Sequence, residues 1–294
     1  MSAVPTDPSR ATLVQLPDGR YACVQETGPL DGRPVVLCHG GGHSRLFRHP
    51  GDVALAQAGV RLITVDRPGI GRSTPNPQGT IAGWSADLAA VADGLGVDRF
   101  SLIGHSMGGP FATAAAHDLG DRIDTLVLAG PLPPLDRAAT FAGLDAFNRR
   151  IYRVARRSPL AMVVPLALMM RRRARDPQAF QQRYYADAPA ADRAVATDPV
   201  LGQVLLESAG EAAAQGPRGL ARELTLMTRP WDIAAVGLSA QARLLFGEHD
   251  SVVGGPTAQA AWREILPDAE FEQVPGGGHL LPLSHWDRVL RAAS

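Results

Sequence analysis

Short apolar runs alternate with amphipathic helical patterns over most of the chain. Pro34–Cys38 and Arg61–Val65 are nearly continuous apolar runs, as is typical of strands buried on both faces of a sheet. From Ile81 to Leu95, apolar residues recur at spacings of three and four, which predicts an amphipathic helix with Thr80 as its N-cap. Further runs predict strands at 100–104, 125–129, 242–246 and 270–274, and helices after residue 106, around 258–265 and from 286 onward.

The alternation of strand and helix predicts an α/β fold, in which crossover helices join the strands of a mostly parallel sheet. The runs Thr12–Leu16 and Tyr21–Gln25 flank a turn signal at residues 17–19, so they predict a hairpin at one edge of this sheet. Ser284 and Asp287 have the spacing of a capping box and predict the start of the final helix.

The alternation is interrupted in the middle of the chain, from Pro131 to about Trp231, where no strand is predicted. Helices are predicted there at 144–157, 160–175, 201–213 and 220–228. An all-helical insertion that leaves one strand end and returns to the next predicts a cap over the core. We therefore expect residues 1–131 and 232–294 to form the core and residues 132–231 to form the cap.

The composition narrows the classes of partner and chemistry. The formal net charge is zero and the pI is about 7.1, so the chain has no general affinity for nucleic acid. All 29 basic residues are arginine, which excludes a lysine Schiff base and a P-loop lysine.

No apolar run has the length of a signal-peptide core or a membrane span, so we expect a cytoplasmic protein without stable membrane insertion. The Ala-, Arg- and Gly-rich composition is typical of a high-GC bacterial source, and Cys23 and Cys38 are expected to be reduced packing residues.

The stretch from Gly104 to Gly108 reads G-H-S-M-G and places Ser106 where a predicted strand becomes a predicted helix. The G-x-S-x-G pattern is weak evidence by itself, and Ser106 could be a plain turn serine. At a sharp strand-to-helix turn, however, a serine is strained and its hydroxyl is exposed, while the flanking glycines let neighbouring elements approach closely. This context favours a nucleophile.

Four further loops follow the ends of predicted strands. Their sequences are H-G-G-G at 39–42, D-R-P-G-I-G-R-S at 66–73, G-E-H-D at 247–250 and G-G-G-H at 276–279. Together with the serine loop, they resemble in kind and order the loops of the α/β-hydrolase fold family, and the resemblance covers nearly the whole chain. It implies a twisted, mostly parallel sheet flanked by helices, with a catalytic triad in the order serine, acid, histidine.

The resemblance implies that Ser106 is the nucleophile, His279 the base and Asp250 the acid. A serine hydroxyl needs a neighbouring base to take its proton, and a neutral imidazole does this near neutral pH. A buried carboxylate would fix the tautomer of the imidazole and stabilise the imidazolium. Glu248 in the same loop and Asp136 beyond the sixth predicted strand compete for the acid position. Asp250 is favoured because Asp136 lies several residues after the strand end.

The resemblance also implies an oxyanion hole formed by the backbone N–H groups of Met107 and Gly41, with Gly42 as a further contributor. No cofactor is implied. His39 and His43 have a spacing of four residues, but the glycines between them predict a loop and not the helix of an H-E-x-x-H metal site. We therefore expect no bound metal.

Other polar residues near these loops have structural interpretations. His105 is expected to point away from Ser106 into the packing, and His39 is more often structural than catalytic at this position. Asp66 and Arg72 are expected to hold a turn through local hydrogen bonds.

Nine arginines and no acid lie between residues 149 and 175. A solvated helix face is the favoured interpretation, and the alternative is a basic patch for an anionic partner such as an acyl carrier or a membrane surface. Tyr184 and Tyr185 resemble the cap tyrosines of epoxide hydrolases, but that chemistry needs an aspartate nucleophile where this chain has Ser106.

These features predict a serine hydrolase that cleaves a carboxylic ester or a related acyl bond of a small molecule through an acyl-enzyme. A thioesterase, a lactonase, a C–C hydrolase and a peracid-forming enzyme use the same triad and stay open as alternatives. A ligand-binding protein that keeps the fold without turnover is the alternative from another class.

Overall fold

The computed structural model describes residues 11–231, 233, 238–253 and 255–293, and the described residues form one eight-stranded sheet. The strands are β1 Ala11–Gln15, β2 Tyr21–Thr27, β3 Arg33–Cys38, β4 Val60–Val65, β5 Phe100–His105, β6 Ile123–Ala129, β7 Gln241–Gly247 and β8 Glu270–Val274. Their spatial order is β1-β2-β4-β3-β5-β6-β7-β8. The pairs β1–β2 and β2–β4 are antiparallel and the other neighbours are parallel, so the predicted edge hairpin and mostly parallel sheet are confirmed.

Helices cover both faces of the sheet and fill the segment between β6 and β7. They are α1 Asp52–Gln57, α2 Trp84–Gly94, α3 Gly108–Leu119, α4 Ala138–Gly143, α5 Ala146–Ala155, α6 Pro159–Arg175, α7 Pro177–Tyr184, α8 Ala190–Thr197, α9 Leu201–Ala212, α10 Arg218–Leu226, α11 Gly255–Ile265, α12 Leu281–Ser284 and α13 Trp286–Ala292, with a 3₁₀ turn at Gly120–Arg122.

The apolar run of β3 divides between two cores because successive side chains of a strand point to opposite faces. Val36 and Cys38 join a cluster that includes residues of α2, α3 and α11. Val35 and Leu37 join a second cluster that includes residues of α1 and α13. Burial on both faces explains why this strand is a continuous apolar run in the sequence.

Seven helices, α4 to α10, lie between β6 and β7 in the described part of the chain. Their predicted number was smaller, because the short helices α4, α7 and α8 carry too few apolar repeats to stand out in the sequence. The predicted domain boundary after Trp231 is adjacent to residue 232, which lies outside the described residues, as do the first ten residues of the predicted core.

Two helix starts differ from prediction. The N-cap of α2 is Gly83, and Thr80 instead accepts a hydrogen bond from the Gly83 N–H (2.9 Å) one turn earlier. The predicted capping box at Ser284 is absent, because the Ser284 hydroxyl donates to the carbonyl oxygen of Leu280 (3.1 Å) in the preceding short helix, and His285 is the N-cap of α13. Local spacing predicted both elements but not the competing hydrogen bonds.

Cys23 in β2 and Cys38 in β3 are buried and free. Burial raises the pKa of both thiols to about 11, so neither forms an appreciable amount of thiolate at neutral pH. Their predicted place as packing residues is confirmed.

Candidate active site

Ser106 occupies the turn between β5 and α3. Its φ is 52°, and it is the one non-glycine residue with a positive φ among the described residues. Its N–H donates to the Ala129 carbonyl oxygen (3.2 Å), and its own carbonyl accepts from the N–H groups of Gly109 and Leu132 (3.0 Å each). These backbone hydrogen bonds hold the serine in a strained conformation, which is a feature that clusters at functional sites.

The glycines around this turn allow three backbone segments to pack together. A methyl group at Gly108 would overlap the carbonyl oxygen of Cys38, and one at Gly104 would lie 3.0 Å from the Gly108 carbonyl oxygen. A methyl group at Gly41 would overlap the sulfur of Met107. The H-G-G-G loop therefore lies directly against the serine turn, and the close approach predicted for Gly104 and Gly108 is present.

The N–H groups of Met107, Gly41 and Gly42 have no hydrogen-bond partner within the described part of the chain. Met107 is the N-cap of α3, where the helix dipole favours negative charge. All three residues line one cavity together with Ser106. Unpaired amides beside a serine hydroxyl can accept a developing oxyanion.

His279 and Asp250 are hydrogen bonded: the imidazole Nδ1 lies 2.9 Å from Oδ2 of Asp250. The Asp250 side chain is 3% exposed, and its other oxygen accepts from the N–H of Val252 (2.9 Å). With Nδ1–H donating to the carboxylate, Nε2 of His279 is left as a proton acceptor. His279 and Ser106 line the same cavity, although no hydrogen bond joins them in this structure.

The environment of His279 favours its protonated form. Burial of the imidazole opposes the charge, but the attraction and hydrogen bond of Asp250, together with the charge of Asp192, outweigh burial and raise the pKa of His279 above its ordinary value of 6.5. The imidazole is therefore a stronger base than an isolated histidine.

The two competing carboxylates lie elsewhere. Glu248 is exposed, and its Oε2 accepts from the N–H of Gly276 (2.8 Å). Asp136 is exposed. Of the three candidate acids, Asp250 is the one that is hydrogen bonded to His279.

Two further histidines next to the turn, His105 and His39, are buried and hydrogen bonded to backbone groups. His105 Nε2 lies 3.0 Å from the carbonyl oxygen of His279, and its ring stacks on Phe47 with centroids 4.9 Å apart. It packs as expected, but it also contacts the His279 ring and lines the cavity. His39 Nδ1 lies 2.9 Å from the carbonyl oxygen of Gly40, and burial lowers the pKa of both histidines well below the ordinary range.

Asp66 does more than hold a local turn. It accepts the predicted hydrogen bond from the Arg72 N–H (3.1 Å), but it is fully buried and also pairs with Arg45 (2.6 Å). The side chain of Arg72 reaches Glu211 in α9 (3.0 Å), and Arg45 contacts the same carboxylate (2.6 Å). The expectation of purely local hydrogen bonds was therefore too narrow, because Arg72 links the loop directly to α9 and Asp66 is linked to the same helix through Arg45.

Arg67 is a second residue whose contacts could not be read from the sequence. Its guanidinium forms a buried ion pair with Glu223 of α10 (2.5 Å) and donates to the carbonyl oxygen of His39 (2.5 Å). The pair thus connects α10 to the H-G-G-G loop. Arg67 belongs to the D-R-P-G loop that the sequence singled out. Its partner Glu223 lies 156 residues further along the chain, so the local sequence could not reveal the ion pair.

Asp192 of α8 contacts the histidine loop directly. Its Oδ2 accepts from the N–H of His279 (2.9 Å) and its Oδ1 accepts from the N–H of Leu280 (2.8 Å). The carboxylate is buried, and it is the only described group of α8 that forms hydrogen bonds to these two amides. It therefore holds the backbone that carries the imidazole and adds negative charge beside it.

The cavity has a volume of about 230 Å³ and is lined by residues of both the predicted core and the helical segment. The core supplies the glycine loop, the serine turn and His279. The helical segment supplies mainly apolar and aromatic side chains, among them Tyr152, Leu166, Met169, Phe180, Leu205 and Leu224. The site can hold a small, largely apolar molecule next to Ser106.

Two other features of the described residues bear on the site. No group of three or more His, Cys, Asp and Glu side chains with the arrangement of a metal site is found in the described ranges. Among the same residues, no helix combines the length and the apolarity that a bilayer crossing requires.

The structure combines a mostly parallel α/β sheet with a strained serine at a sharp strand-to-helix turn. This combination is typical of α/β proteins that carry a nucleophile elbow. The sequence matches the family described as alpha/beta hydrolase fold over residues 33–285, and the chain belongs to this family.

A protein of Caulobacter vibrioides provisionally named carbamate hydrolase RutD is 28% identical over 261 residues, which are 86% of each chain. A protein of Variovorax paradoxus with the same provisional name is 36% identical over 133 residues, which are 42% of this chain and 50% of that protein. The crystal structure of the esterase RhEst1 from Rhodococcus sp. superposes with a TM-score of 0.68 at 23% identity, covering 97% of this chain and 99% of that one. At this identity the structural likeness establishes the fold.

Proposed function

We propose that the protein is a serine hydrolase that cleaves a carboxylic ester or a related acyl bond of a small molecule through an acyl-enzyme. The observation that carries the proposal is the His279 imidazole, hydrogen bonded to Asp250 and lining the same cavity as the strained Ser106. Hydrolase and esterase are also the activities named among the relatives.

In the first half-reaction, Ser106 Oγ attacks the acyl carbon while His279 Nε2 takes its proton. Asp250 stabilises the resulting imidazolium, which is consistent with the raised pKa of His279. The N–H groups of Met107 and Gly41, with Gly42, donate to the tetrahedral oxyanion. Losing one such donor typically costs about 2.7–4 kcal/mol of transition-state stabilisation.

The first half-reaction ends when the imidazolium protonates the leaving group, which departs and leaves the acyl group on Ser106. The second half-reaction is the hydrolysis of this acyl-enzyme. Water then attacks the acyl-enzyme with His279 again as the base, and the collapse of the second tetrahedral intermediate releases the acid. The reaction requires no cofactor.

We infer that residues 132–231 act as a cap that closes the acyl-binding cavity. Three contacts support this inference: the side chains that the helices contribute to the cavity wall, the buried pair of Arg67 with Glu223, and the bonds of Asp192 to the histidine loop. A cap fixed in this way would determine which acyl groups reach Ser106.

A panel of esters, thioesters, lactones and carbamates of graded acyl length, assayed with wild type and Ser106→Ala, tests the reaction class. We expect turnover of short-chain p-nitrophenyl esters by the wild type and its loss in the variant. A preference for thioesters that weakens when the exposed cap arginines are replaced would overturn the ester assignment in favour of an acyl-carrier substrate. No turnover of any class, with normal ligand binding by Ser106→Ala, would leave the non-catalytic ligand-binding alternative.

We predict that Asp192→Asn lowers kcat/KM about tenfold and shifts its acidic limb to lower pH. The amide keeps one acceptor oxygen but loses the charge that helps to raise the pKa of His279. Since the neutral imidazole is the active form, activity rises with pH through the pKa of His279, and a lower pKa moves this rise downward. The measurement is the pH dependence of kcat/KM.

The matched control for this prediction is Asp187→Asn, which removes an exposed carboxylate from the segment between α7 and α8. This variant should show the same pH dependence of kcat/KM as the wild type. If Asp192→Asn lowers the rate without moving the acidic limb, its role is limited to the shape of the loop.

A further inference from the structure

Arg173 is the charged side chain that the helical segment places in the wall of the cavity. It belongs to the last turn of α6 and lines the same cavity as Ser106 and His279. Its Nη2 donates to the carbonyl oxygens of Leu206 (3.1 Å) and Leu205 (3.5 Å). A guanidinium carries five N–H donors on three nitrogens, so the donors on Nε and Nη1 are not used by these two contacts.

No carboxylate balances this charge among the described residues. None of the described residues that line the cavity is Asp or Glu, and no ion pair joins Arg173 to a carboxylate of the described chain. Burial lowers the pKa of Arg173, although a guanidinium stays protonated at any pH at which the protein is folded. An unpaired charge in a largely apolar cavity is unfavourable unless a partner with opposite charge is supplied.

The two fully buried arginines among the described residues have such partners. Arg45 lies 2.6 Å from Asp66, and Arg67 lies 2.5 Å from Glu223, with each arginine side chain 1% exposed. Arg173 is only partly buried, and its hydrogen bonds among the described residues go to backbone carbonyl groups instead of a carboxylate. The difference between these arginines is that Arg173 faces the space that a substrate would occupy.

The groups around Arg173 suit a single negative charge. His43 lines the same cavity, and burial, followed by the charge of Arg173, lowers its pKa to about 3, so its imidazole is neutral. The Nδ1 atom of His43 is buried and has no hydrogen-bond partner in the part of the chain that the structure describes. One fixed positive charge beside neutral polar groups balances a monoanion, whereas a phosphate dianion would leave a net charge in the cavity.

We propose that Arg173 binds a carboxylate of the substrate, so that the preferred substrates are esters or related acyl compounds that carry a second, ionised carboxyl group. This inference rests on the proposed hydrolytic function for its reaction, but the recognition of the anion is independent of turnover. The carboxylate accepts hydrogen bonds from the guanidinium while the acyl carbon lies at Ser106.

The test compares an anionic and a neutral ligand on the Ser106→Ala protein. Binding of monoethyl half-esters of glutaric, adipic and suberic acid is measured by calorimetry, beside the ethyl esters of the monocarboxylic acids of equal length. We expect the best half-ester to bind about tenfold to a hundredfold more tightly than its neutral counterpart, as is typical of a hydrogen-bonded charge pair. Equal affinity for the two ligands would overturn the proposal.

Variants of the arginine assign the effect. Ser106→Ala with Arg173→Gln should lose the preference for the half-ester and bind the neutral ester as before, and Arg173→Lys should keep part of the preference. Arg171→Gln is the matched control, because it removes an exposed charge from the same helix and should change neither affinity. If Arg173→Gln instead weakens the binding of both ligands to the same extent, Arg173 serves to hold α6 against α9 and does not recognise the anion.

The two proposals fail in different ways. If the wild type hydrolyses none of these esters but Ser106→Ala holds the half-ester through Arg173, the anion site stands and the hydrolytic function falls. If the wild type hydrolyses neutral and anionic esters with the same kcat/KM, the hydrolytic function stands and the anion site falls. The comparison of the two ligands needs no change at Arg173, so it decides the question even where Arg173→Gln does not fold.

Discussion

Replacing Ser106 by alanine is expected to lower kcat for ester hydrolysis by a factor on the order of 10⁵ to 10⁶. The change removes the atom that forms the acyl-enzyme, so neither the oxyanion N–H groups nor His279 can compensate for its loss. Thermal stability should be nearly unchanged, because the hydrogen bonds that hold this turn are made by the backbone of Ser106. Steady-state kinetics and a thermal melt on the same preparation check both parts.

The control for this prediction is Ser101→Ala, in the strand β5 that leads into the Ser106 turn. The hydroxyl of Ser101 is buried and has no hydrogen-bond partner among the described residues, so its removal deletes the same atom at a site outside the cavity. Wild-type activity is expected from this variant. Activity of Ser106→Ala close to that of the wild type would remove Ser106 from the chemistry.

Asp250→Asn is expected to lower kcat by about 10⁴ with little change in KM. The amide is nearly isosteric with the carboxylate, but it can donate a hydrogen bond to Nδ1 of His279 and so favour the wrong tautomer. It also removes the main attraction that holds the pKa of His279 above its ordinary value, so the residual activity should reach its plateau at lower pH.

Glu248→Gln provides the comparison within the same loop, two residues before Asp250. Glu248 is exposed and bonded to the N–H of Gly276, so this change should leave kcat and the pH profile as they are. A loss for Glu248→Gln as large as that for Asp250→Asn would mean that the acid of the site has been assigned to the wrong residue.

Much of the fold could be predicted because its causes are local. The run Pro34–Cys38 is apolar at every position since it is buried on both faces of the sheet, and β8 has the predicted bounds Glu270–Val274. The serine turn could be placed because a glycine-rich stretch separates a strand from a helix, and this geometry requires close backbone contacts.

The contacts between the helical segment and the core could not be predicted, because they join residues far apart in the sequence. Asp192 lies 87 residues before His279, and nothing in the local pattern of α8 distinguishes it from a solvent-exposed helical carboxylate. Arg173 is one of nine arginines between residues 149 and 175, for which a solvated face was the favoured interpretation. Packing turns this one toward the cavity, while Arg171 and Arg172 of the same helix are exposed.

The central claim is that Ser106 is a nucleophile activated by His279. It is tested most directly by labelling the protein with a fluorophosphonate and locating the adduct by mass spectrometry of the digested chain. We predict a single adduct on Ser106 in the wild type, none in Ser106→Ala, and labelling that is strongly slowed in His279→Gln. An unlabelled wild-type protein, or an adduct on another residue that persists in Ser106→Ala, would contradict the account.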